Sequence, residues 1–474
     1  MTFLHKKSTF GSVLAVLLCL TLLFVISFPF LKDLLSEEVH IDEDYWIISA
    51  KFFTLLFQEK ETRNLKWHSI PAYDQPPIGK YIFGSALSIA GNIDTLDDYI
   101  NCRMLTVDSP IFDIYRSASM VADTRVASKG TPPRIEGRIV TKDQATKYIN
   151  SKAQATQNIL YVARVTAVLF GIGSCLLVFW IGWIVFNIRA GVVSALLLAY
   201  NPLMLVCGRR ALTDTMLVFF VLASILVMIH LYSSILRQKI IRVFGLTAAL
   251  GLAIALSAGT KLNGCLVVVI FTLFCIAFTL VKIKFYSTRN LEPPAILQNL
   301  DNDLTIKLAF ISLCVAGLVA LSIFIFTNPS LYYEPREGML VMLKSRINTV
   351  IYQQREFGSS AIRSIGEKIY FVVSRTLFPK HFAMFGRITK LPIDFILFIV
   401  GLFMLCRDEL CNIFKNQTLS NNCIIILWVF VMFIGTIIWI PLDWERYYLP
   451  VVPCIAIVSG YSISKIIDFC LKRI

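Results

Sequence analysis

Long, nearly uninterrupted runs of apolar residues recur from one end of the chain to the other. A run of about 20 apolar residues is long enough to cross the hydrocarbon core of a bilayer as an α-helix. Hydrophobic residues make up 56% of the 474 residues and charged residues only 16%, whereas about a quarter of the residues of a soluble domain are charged. This composition excludes a soluble enzyme, a disordered chain and a fibrous protein. It predicts an all-α polytopic membrane protein, and because polar and apolar residues do not alternate within the runs, it argues against a membrane β-barrel.

The apolar runs predict about ten transmembrane helices. They lie near residues 11–31, 158–186, 191–207, 215–232, 243–258, 262–281, 308–326, 393–406, 424–440 and 448–467. The first run is long and lacks a small-residue cleavage site after it, so we interpret it as a retained anchor rather than a signal peptide. A further apolar segment at 76–90 is too short for a comfortable span. We interpret it as a helix that dips into the outer leaflet, with an eleventh crossing as the alternative.

Charge gives the expected sides of the membrane. The net charge is +14, which in a membrane protein favours contact with anionic lipid head groups. Alternation of the ten spans puts short basic connections, such as those with Arg189 and Arg407, on one side, which we take as cytoplasmic. No zinc-ligand spacing and no basic helix outside the membrane segments is present, so we expect no nucleic-acid partner. The 12 cysteines form no CxxC pair, which argues against a disulfide framework or a metal cluster.

The spans and connections divide the chain into five segments. These are an N-terminal transmembrane anchor (1–31), a first extracytoplasmic loop with an acidic motif and the membrane-dipping helix (32–157), a transmembrane helix core (158–327), a basic amphipathic extracytoplasmic loop (328–391) and C-terminal transmembrane helices (392–474). In the fourth segment, apolar residues recur at helical spacing: Met339, Met342, Leu343, Ile347, Val350 and Ile351. This pattern predicts an amphipathic helix lying on the head groups.

Three adjacent acidic residues, Asp42, Glu43 and Asp44, follow the first span. Carboxylates this close repel one another, so at least one needs a cationic or metal partner. A carboxylate here could accept a proton from a hydroxyl group, a step that typically contributes about 10²–10⁴ in rate. Asp42 and Asp44 could also bind a divalent cation through oxygen ligands. The alternative is a solvated helix start, since acidic residues are favourable there.

Several cations lie on the same predicted side as these acids. They are Lys80, Arg209, Arg210, Lys261 and Arg446, and Asp214 accompanies them. Lysine and arginine suit phosphate recognition. Their alternatives are an interfacial lysine at position 80, an ion pair of the two arginines with Asp214, and a structural ion pair in an aromatic belt at Arg446. A cation between two apolar helices, as at Lys261, is costly without a partner. Carboxylates and cations on one face suit a reaction on a lipid-linked phosphate.

The order of these motifs resembles the membrane glycosyltransferases that use polyprenyl-phosphate sugars. This superfamily includes the dolichyl-phosphate-mannose protein mannosyltransferases and the lipid A aminoarabinose transferase. The segments that carry the resemblance are Asp42-Glu43, Pro76-Pro77-Ile78-Gly79-Lys80, Arg210 to Asp214, Thr260-Lys261 with Gly264, Asn328-Pro329 and Arg446-Tyr447-Tyr448-Leu449-Pro450. Gln75 departs from the family pattern, in which a histidine or lysine precedes the prolines.

The resemblance implies a C-type glycosyltransferase fold of about ten or eleven transmembrane helices, with interfacial helices in the first outer loop. It implies inverting transfer of a sugar from a polyprenyl-phosphate carrier to a hydroxyl acceptor (protein, glycan or lipid) on the extracytoplasmic face. Asp42, Glu43 and Asp214 are the predicted catalytic residues. The predicted binding residues for the lipid phosphate are Lys80, Arg209, Arg210, Lys261 and Arg446. A divalent cation at Asp42 and Asp44 is the one candidate cofactor.

Two other functions compete with this prediction. One is a lipid or solute transporter or flippase, which would need ionisable residues near the middle of the bilayer and matching broken helices. The other is a non-catalytic subunit that binds a lipid-linked sugar. We expect the protein in a bacterial cell membrane rather than in the endoplasmic reticulum.

Overall fold

The computed structural model of the chain describes residues 9–106, 134–135, 138–287, 302–378 and 389–472. The predicted first outer loop and the predicted basic loop each lie partly outside these described residues.

The described chain is almost entirely helical. Its α-helices are α1 (Thr9–Leu31), α2 (Ile41–Ser49), α3 (Lys51–Phe53), α4 (Ile70–Asp74), α5 (Ile78–Ile89), α6 (Leu96–Thr106), α7 (Lys142–Val185), α8 (Ile188–Ala199), α9 (Pro202–Arg209), α10 (Asp214–Leu236), α11 (Ile240–Thr260), α12 (Leu266–Ser287), α13 (Asn302–Thr327), α14 (Pro335–Glu356), α15 (Ile365–Leu377), α16 (Ile393–Asn416), α17 (Asn421–Trp439) and α18 (Val452–Leu471). Short 3-10 helices lie at Leu65–His68, Ile93–Thr95, Leu262–Cys265, Pro329–Leu331, Gly358–Ser360 and Glu445–Val451, and a π-helix at Thr54–Gln58. The two-residue strands β1 (Arg134–Ile135) and β2 (Arg138–Ile139) pair antiparallel.

Seven of the described helices are long and apolar enough to cross a membrane, or eight if the bent pair α8 and α9 is one span. Helices α1 and α16 occupy the two remaining predicted spans. The prediction of an all-α polytopic membrane protein is therefore confirmed, and the chain is an integral, multi-pass membrane protein.

The prediction of one continuous span at 191–207 is wrong in its geometry. The helix breaks between Ala199 and Pro202, and the two halves meet at 60°. Asn201 caps the second half, because its Oδ1 accepts hydrogen bonds from the backbone N–H groups of Leu203 and Met204 at 3.0 and 3.2 Å. Proline has no N–H and favours the first helical position, so it starts a new helix here.

Helix α10 lies at the centre of the bundle, with 67% of its most apolar stretch buried, the largest share among the candidate spans. It packs against α7 and α11; α7 packs on α8, and α8 packs on α18. Residues such as Ile225, Trp428 and Ile457 join these helices in one apolar core. This packing fixes the N-terminal end of α10 and therefore the position of Asp214, its first residue.

The helices of the first outer loop form a second apolar core against the end of the bundle. Trp46, Phe52, Trp67 and Tyr99 are buried in it together with Met216 of α10. Helix α5 has 12 residues, which corresponds to about 18 Å. Because the hydrocarbon core is about 30 Å thick, this helix is too short to cross it alone.

Helix α14 is the helix predicted in the basic loop, but its apolar residues do not share one face. Met342 is fully buried, whereas Leu343, Ile347 and Ile351 are about half exposed. The buried face also carries Arg346, which is 8% exposed. Helix α14 thus presents one apolar stripe outward, packs Met342 against Phe324 and Leu331, and directs Arg346 toward Asp74 of the first outer loop.

Candidate active site

The start of α2 fixes the directions of the three acidic residues. Nδ1 of His40 accepts a hydrogen bond from the backbone N–H of Asp42 at 3.2 Å, and the carboxylate of Glu43 accepts one from the backbone N–H of His40 at 2.9 Å. This reciprocal arrangement is a capping box. Successive residues of a helix point about 100° apart, so Asp42, Glu43 and Asp44 meet three different sets of partners.

Asp42 forms an ion pair with Arg446. Oδ2 of Asp42 contacts Nη1 of Arg446, and the two side chains are 13% and 14% exposed. Nδ1 of His40 lies 3.2 Å from the same carboxylate oxygen. Burial raises the pKa of Asp42, but the charges and hydrogen bonds of Arg446 and His40 together outweigh burial and hold that pKa well below its usual range. Asp42 is therefore an ionised carboxylate at neutral pH in this structure.

Asp214 forms a second ion pair, with Lys261. Asp214 is the first residue of α10, and its Oδ1 accepts a hydrogen bond from Nζ of Lys261 at 2.7 Å. Lys261 follows α11 and is held by a tight turn in which the N–H of Gly264 donates to its carbonyl oxygen at 2.8 Å. A Cβ at Gly264 would lie 2.3 Å from the backbone of Ser257. The glycine is therefore required for the turn that presents Lys261.

An open cavity of about 570 Å³ adjoins both ion pairs. Its charged lining residues are Asp214, Lys261, Arg346 and Arg446. The rest of its lining combines amides, aromatic rings and apolar groups: Gln75, Leu262, Asn263, Leu266, Met432, Gly435, Thr436, Trp439, Ile440, Tyr447 and Pro450. Asp42 does not line the cavity, but it contacts Arg446, which does.

Several buried polar atoms in and around this cavity lack a hydrogen-bond partner among the described residues. They are Nε of Arg210, Oγ1 of Thr213, Oδ2 of Asp214 and Nε of Arg446. Buried polar atoms in proteins are nearly always hydrogen-bonded. A concentration of unsatisfied donors and acceptors next to a cavity is therefore typical of a place that binds a polar ligand.

Comparisons with known proteins address the fold. The sequence model of the family "Dolichyl-phosphate-mannose-protein mannosyltransferase" matches residues 134–333, which include Asp214 and Lys261. Among solved structures, the apo oligosaccharyltransferase of Archaeoglobus fulgidus matches with a TM-score of 0.51 at 14% identity, over 95% of this chain and 50% of that one. ArnT from Cupriavidus metallidurans bound to undecaprenyl phosphate matches with a TM-score of 0.49 at 13% identity, over 97% of this chain and 61% of that one.

The chain has the C-type glycosyltransferase fold. The family match over residues 134–333 confirms the predicted resemblance to glycosyltransferases that use polyprenyl-phosphate sugars. The chain spans about half the length of the archaeal oligosaccharyltransferase. A search of curated protein sequences gives no match.

In this C-type chain, Glu43 does not face the cavity. It is fully buried, and both its oxygens accept hydrogen bonds from the guanidinium of Arg164 at 2.9 Å. Oε1 also accepts a hydrogen bond from the backbone N–H of Ala211 at 2.8 Å. The structure therefore places the predicted catalytic Glu43 in a contact that joins α2 to α7 and to the segment before α10, because its position on α2 points it into the protein.

Asp44 also points away from the cavity. Its carboxylate accepts hydrogen bonds from Arg103 at 2.8 and 2.9 Å and from the hydroxyl of Tyr99 at 2.6 Å. The predicted divalent-cation pair is therefore not brought together, since Asp42 and Asp44 each face a different arginine. Within the described residues, no group of three or more His, Cys, Asp or Glu side chains converges as a metal site would require.

Two of the predicted phosphate-binding residues lie elsewhere. Lys80 is fully buried, and its Nζ donates to the carbonyl oxygen of Gln75 at 2.6 Å and to that of Pro71. Burial lowers the pKa of Lys80 to about 7. The guanidinium of Arg209 donates to the carbonyl oxygen of Pro29 at 2.6 and 3.0 Å and contacts Glu37. Neither residue lines the cavity, so their contact with a donor phosphate stays a prediction.

Arg210 lies between these cases. Its Nη1 is 3.8 Å from Glu445, a loose contact, and its side chain is 22% exposed. Glu445 is adjacent in sequence to Arg446, so Arg210 lies close to the cavity without lining it. It keeps free capacity to bind an anion.

Sequence reasoning missed one charged residue of the cavity, Arg346, and one buried arginine that holds the acidic motif, Arg164. Arg346 lines the cavity, contacts Asp74 at 3.4 Å and lies 6.0 Å from the ring centre of Trp439. Nothing in the sequence of the basic loop distinguishes Arg346 from its neighbours. Arg164 could have been found, because an ionisable residue inside the apolar run at 158–186 predicts a buried partner.

Proposed function

We propose that this chain is an integral-membrane glycosyltransferase that transfers a sugar from a polyprenyl-phosphate carrier to a hydroxyl group. The observation that carries the proposal is a cavity that Lys261 and Arg446 line, with Asp42 in an ion pair with Arg446. Cations and a base next to one cavity are what a displacement at a sugar phosphate needs. The match to the mannosyltransferase family over residues 134–333 agrees with this chemistry.

The cations are assigned to the phosphate. When the bond between the anomeric carbon and the phosphate oxygen breaks, the phosphate gains negative charge. Lys261 and Arg446 line the cavity and can donate hydrogen bonds to that oxygen, and Arg210 lies nearby. Electrostatic stabilisation of this kind is often the largest single contribution to catalysis.

Asp42 is assigned as the base. It takes the proton of the acceptor hydroxyl while the oxygen attacks the anomeric carbon from the side opposite the phosphate. A single displacement of this kind inverts the configuration of that carbon, so we propose an inverting reaction. Asp214 holds Lys261 in position through its hydrogen bond of 2.7 Å and thereby acts on the donor phosphate indirectly.

The acceptor and the face of the membrane belong to the same proposal. The site lies at the end of the bundle that the first outer loop covers, which we assign to the extracytoplasmic face of the cell membrane. The cavity combines Trp439 with the amides of Gln75 and Asn263, a set suited to a sugar ring and its hydroxyl groups. A protein, a glycan or a lipid could each present the accepting hydroxyl.

Purified full-length protein should be incubated with polyprenyl-phosphate sugars carrying a labelled sugar, and with hydroxyl acceptors of the three kinds. We expect labelled product from at least one combination. We expect Asp42→Asn to lower the rate by about 10²–10⁴, the usual contribution of a general base. Asp97→Asn, a change at a surface ion pair with Lys51 in the same loop, is the matched control and should retain activity. Normal turnover by Asp42→Asn would remove Asp42 from the mechanism.

A further inference from the structure

Arg446 separates the two parts of the proposed site. Its side chain lines the cavity and also contacts Asp42, which is not among the lining residues. A sugar phosphate inside the cavity would therefore meet Arg446 before it could meet Asp42. In this state the proposed base and the proposed donor site are adjacent but not connected.

Hydrogen bonds of Asp443 fix the backbone segment that carries Arg446, whereas the guanidinium is held by its ion pair with Asp42 and by two aromatic rings. Asp443 accepts a hydrogen bond from Nε of Arg375 at 2.9 Å and another from the hydroxyl of Tyr448 at 2.6 Å. Arg446 lies 5.0 and 5.2 Å from the ring centres of Trp444 and Tyr447, and its Nε has no hydrogen-bond partner within the described part of the chain. The guanidinium can therefore rotate about its own side-chain bonds without any change in the backbone.

We propose that Arg446 changes its ion-pair partner from Asp42 to the phosphate of the donor when the donor binds. Donor binding therefore frees Asp42 to act on the acceptor. This inference rests on the proposed function. A phosphate in the cavity offers Arg446 an anion with several acceptor oxygens, and guanidinium groups bind phosphate well through paired hydrogen bonds. The unsatisfied Nε of Arg446 gains a partner in the exchange.

The exchange changes the basicity of Asp42. With Arg446 turned to the phosphate, the carboxylate keeps its contact with His40 but loses the charge of Arg446, so burial raises its affinity for a proton. The acceptor proton then moves to Asp42, the acceptor oxygen forms its bond to the anomeric carbon, and the carbon–phosphate oxygen bond breaks. Arg446 is by then at the phosphate, where the negative charge accumulates. Without a donor, the carboxylate of Asp42 stays in its ion pair with Arg446, so the donor must bind before the acceptor is activated.

Labelling of carboxyl groups tests the exchange directly. A water-soluble carbodiimide with a nucleophile modifies protonated carboxyl groups, and peptide mass spectrometry can follow Asp42 and Asp214 separately in the full-length protein in detergent. Farnesyl phosphate serves as the probe, with its binding followed independently by tryptophan fluorescence. We expect saturating farnesyl phosphate to increase the labelling rate of Asp42 about tenfold, as one unit of pKa would.

Variants without the guanidinium give an independent measurement. Arg446→Gln should label rapidly at Asp42 without any ligand and should not respond to farnesyl phosphate. If Arg446→Gln does not fold, Arg446→Lys takes its place. This variant keeps the positive charge, so its Asp42 should label slowly without ligand. Arg346→Gln is the matched control, because Arg346 lines the same cavity but contacts Asp74 instead of Asp42; its labelling at Asp42 should stay low.

The outcomes separate this inference from the proposed function. Unchanged labelling of Asp42 with farnesyl phosphate demonstrably bound would overturn the exchange and leave donor binding intact. Slow, wild-type labelling in a folded Arg446→Gln protein would overturn it as well. If farnesyl phosphate does not bind the wild-type protein at all, the proposed function fails, and the exchange fails with it.

Discussion

Two lysines that look equivalent in the sequence have different surroundings in the structure. Lys261 lines the cavity and pairs with Asp214, whereas Lys80 is fully buried and donates to two backbone carbonyl groups. Both follow short motifs of small residues and prolines or glycines, so the sequence predicts phosphate binding for both. What separates them is the burial of α5 against the second apolar core, which only the packed structure reveals.

A pair of matched substitutions distinguishes these two lysines. We expect Lys261→Met to weaken binding of a polyprenyl phosphate by about 1.5–3 kcal/mol, the typical contribution of a hydrogen bond to a charged group. We expect Lys80→Met to leave that binding unchanged but to lower the free energy of unfolding by about 1–3 kcal/mol, because two buried carbonyl groups lose their donor. Ligand titration and thermal unfolding in detergent measure the two effects. Weaker ligand binding in a folded Lys80→Met protein would restore Lys80 to the donor site.

The ion pair at Asp42 predicts a pH dependence of stability. The folded-state pKa of Asp42 lies well below its unfolded value because Arg446 and His40 together outweigh the effect of burial. The pair therefore stabilises the protein fully above the unfolded pKa, about 3.9 for aspartate, and loses this contribution as pH falls below that value toward the folded pKa. We expect the difference in melting temperature between wild type and Asp42→Asn to be constant from about pH 5 to 8 and to shrink below about pH 4. A difference that grows on acidification would contradict the pairing.

The acidic motif shows what a sequence pattern can predict about a site and what it cannot. The sequence predicts that Asp42, Glu43 and Asp44 start a helix near cations, and the structure has them there. It does not predict which acid meets which cation, since adjacent residues on a helix diverge by about 100°. Their partners Arg446, Arg164 and Arg103 come from three distant parts of the chain. Long-range pairing of this kind leaves no local signal.

At the scale of elements, the turn between α11 and α12 controls the position of Lys261. A Cβ at Gly264 would meet the backbone of Ser257 at 2.3 Å, and backbone cannot yield as a flexible side chain would. We expect Gly264→Ala to destabilise the protein by about 1–3 kcal/mol, as overpacked sites do. We also expect the folded variant to have a lower transfer rate than the wild type, because the turn that carries Lys261 must move. Gly245→Ala, in the same pair of helices but with open space around it, is the control. Equal activity and stability in the two variants would show that the turn tolerates a Cβ.

The bend between α8 and α9 is an element that the sequence could have given. Asn201-Pro202 is a cap followed by a residue that favours the first helical position. Hydropathy alone ignores this signal, because both halves are apolar and their summed length suits one span. The bend matters for the site, since α9 ends at Arg209 and leads through Arg210 to Asp214. Hydropathy predicts how many helices there are; capping residues predict where they break.

At the scale of the whole molecule, one further group of charges lies at the far end of α18. Helix α18 starts directly after the segment of Arg446 and has 20 residues, about 30 Å. Near its far end, Asp468 pairs with Arg189, and Lys465 contacts Asp408. Arg189 and the neighbour of Asp408, Arg407, are the residues that the alternation of spans assigns to the cytoplasm. The two ends are therefore about one membrane thickness apart.

Sidedness can be measured with single cysteines at these two ends. Glu445 and Arg189 are about half exposed, so Glu445→Cys and Arg189→Cys should accept a maleimide without disturbing the core. In intact cells, we expect a membrane-impermeant maleimide to label position 445 and to leave position 189 unlabelled until the membrane is permeabilised. Mass spectrometry of the individual peptides separates these sites from the native cysteines. The reverse result would put the cavity on the cytosolic side, where short basic connections were expected, and the donor would then have to be a lipid-linked sugar exposed to the cytosol.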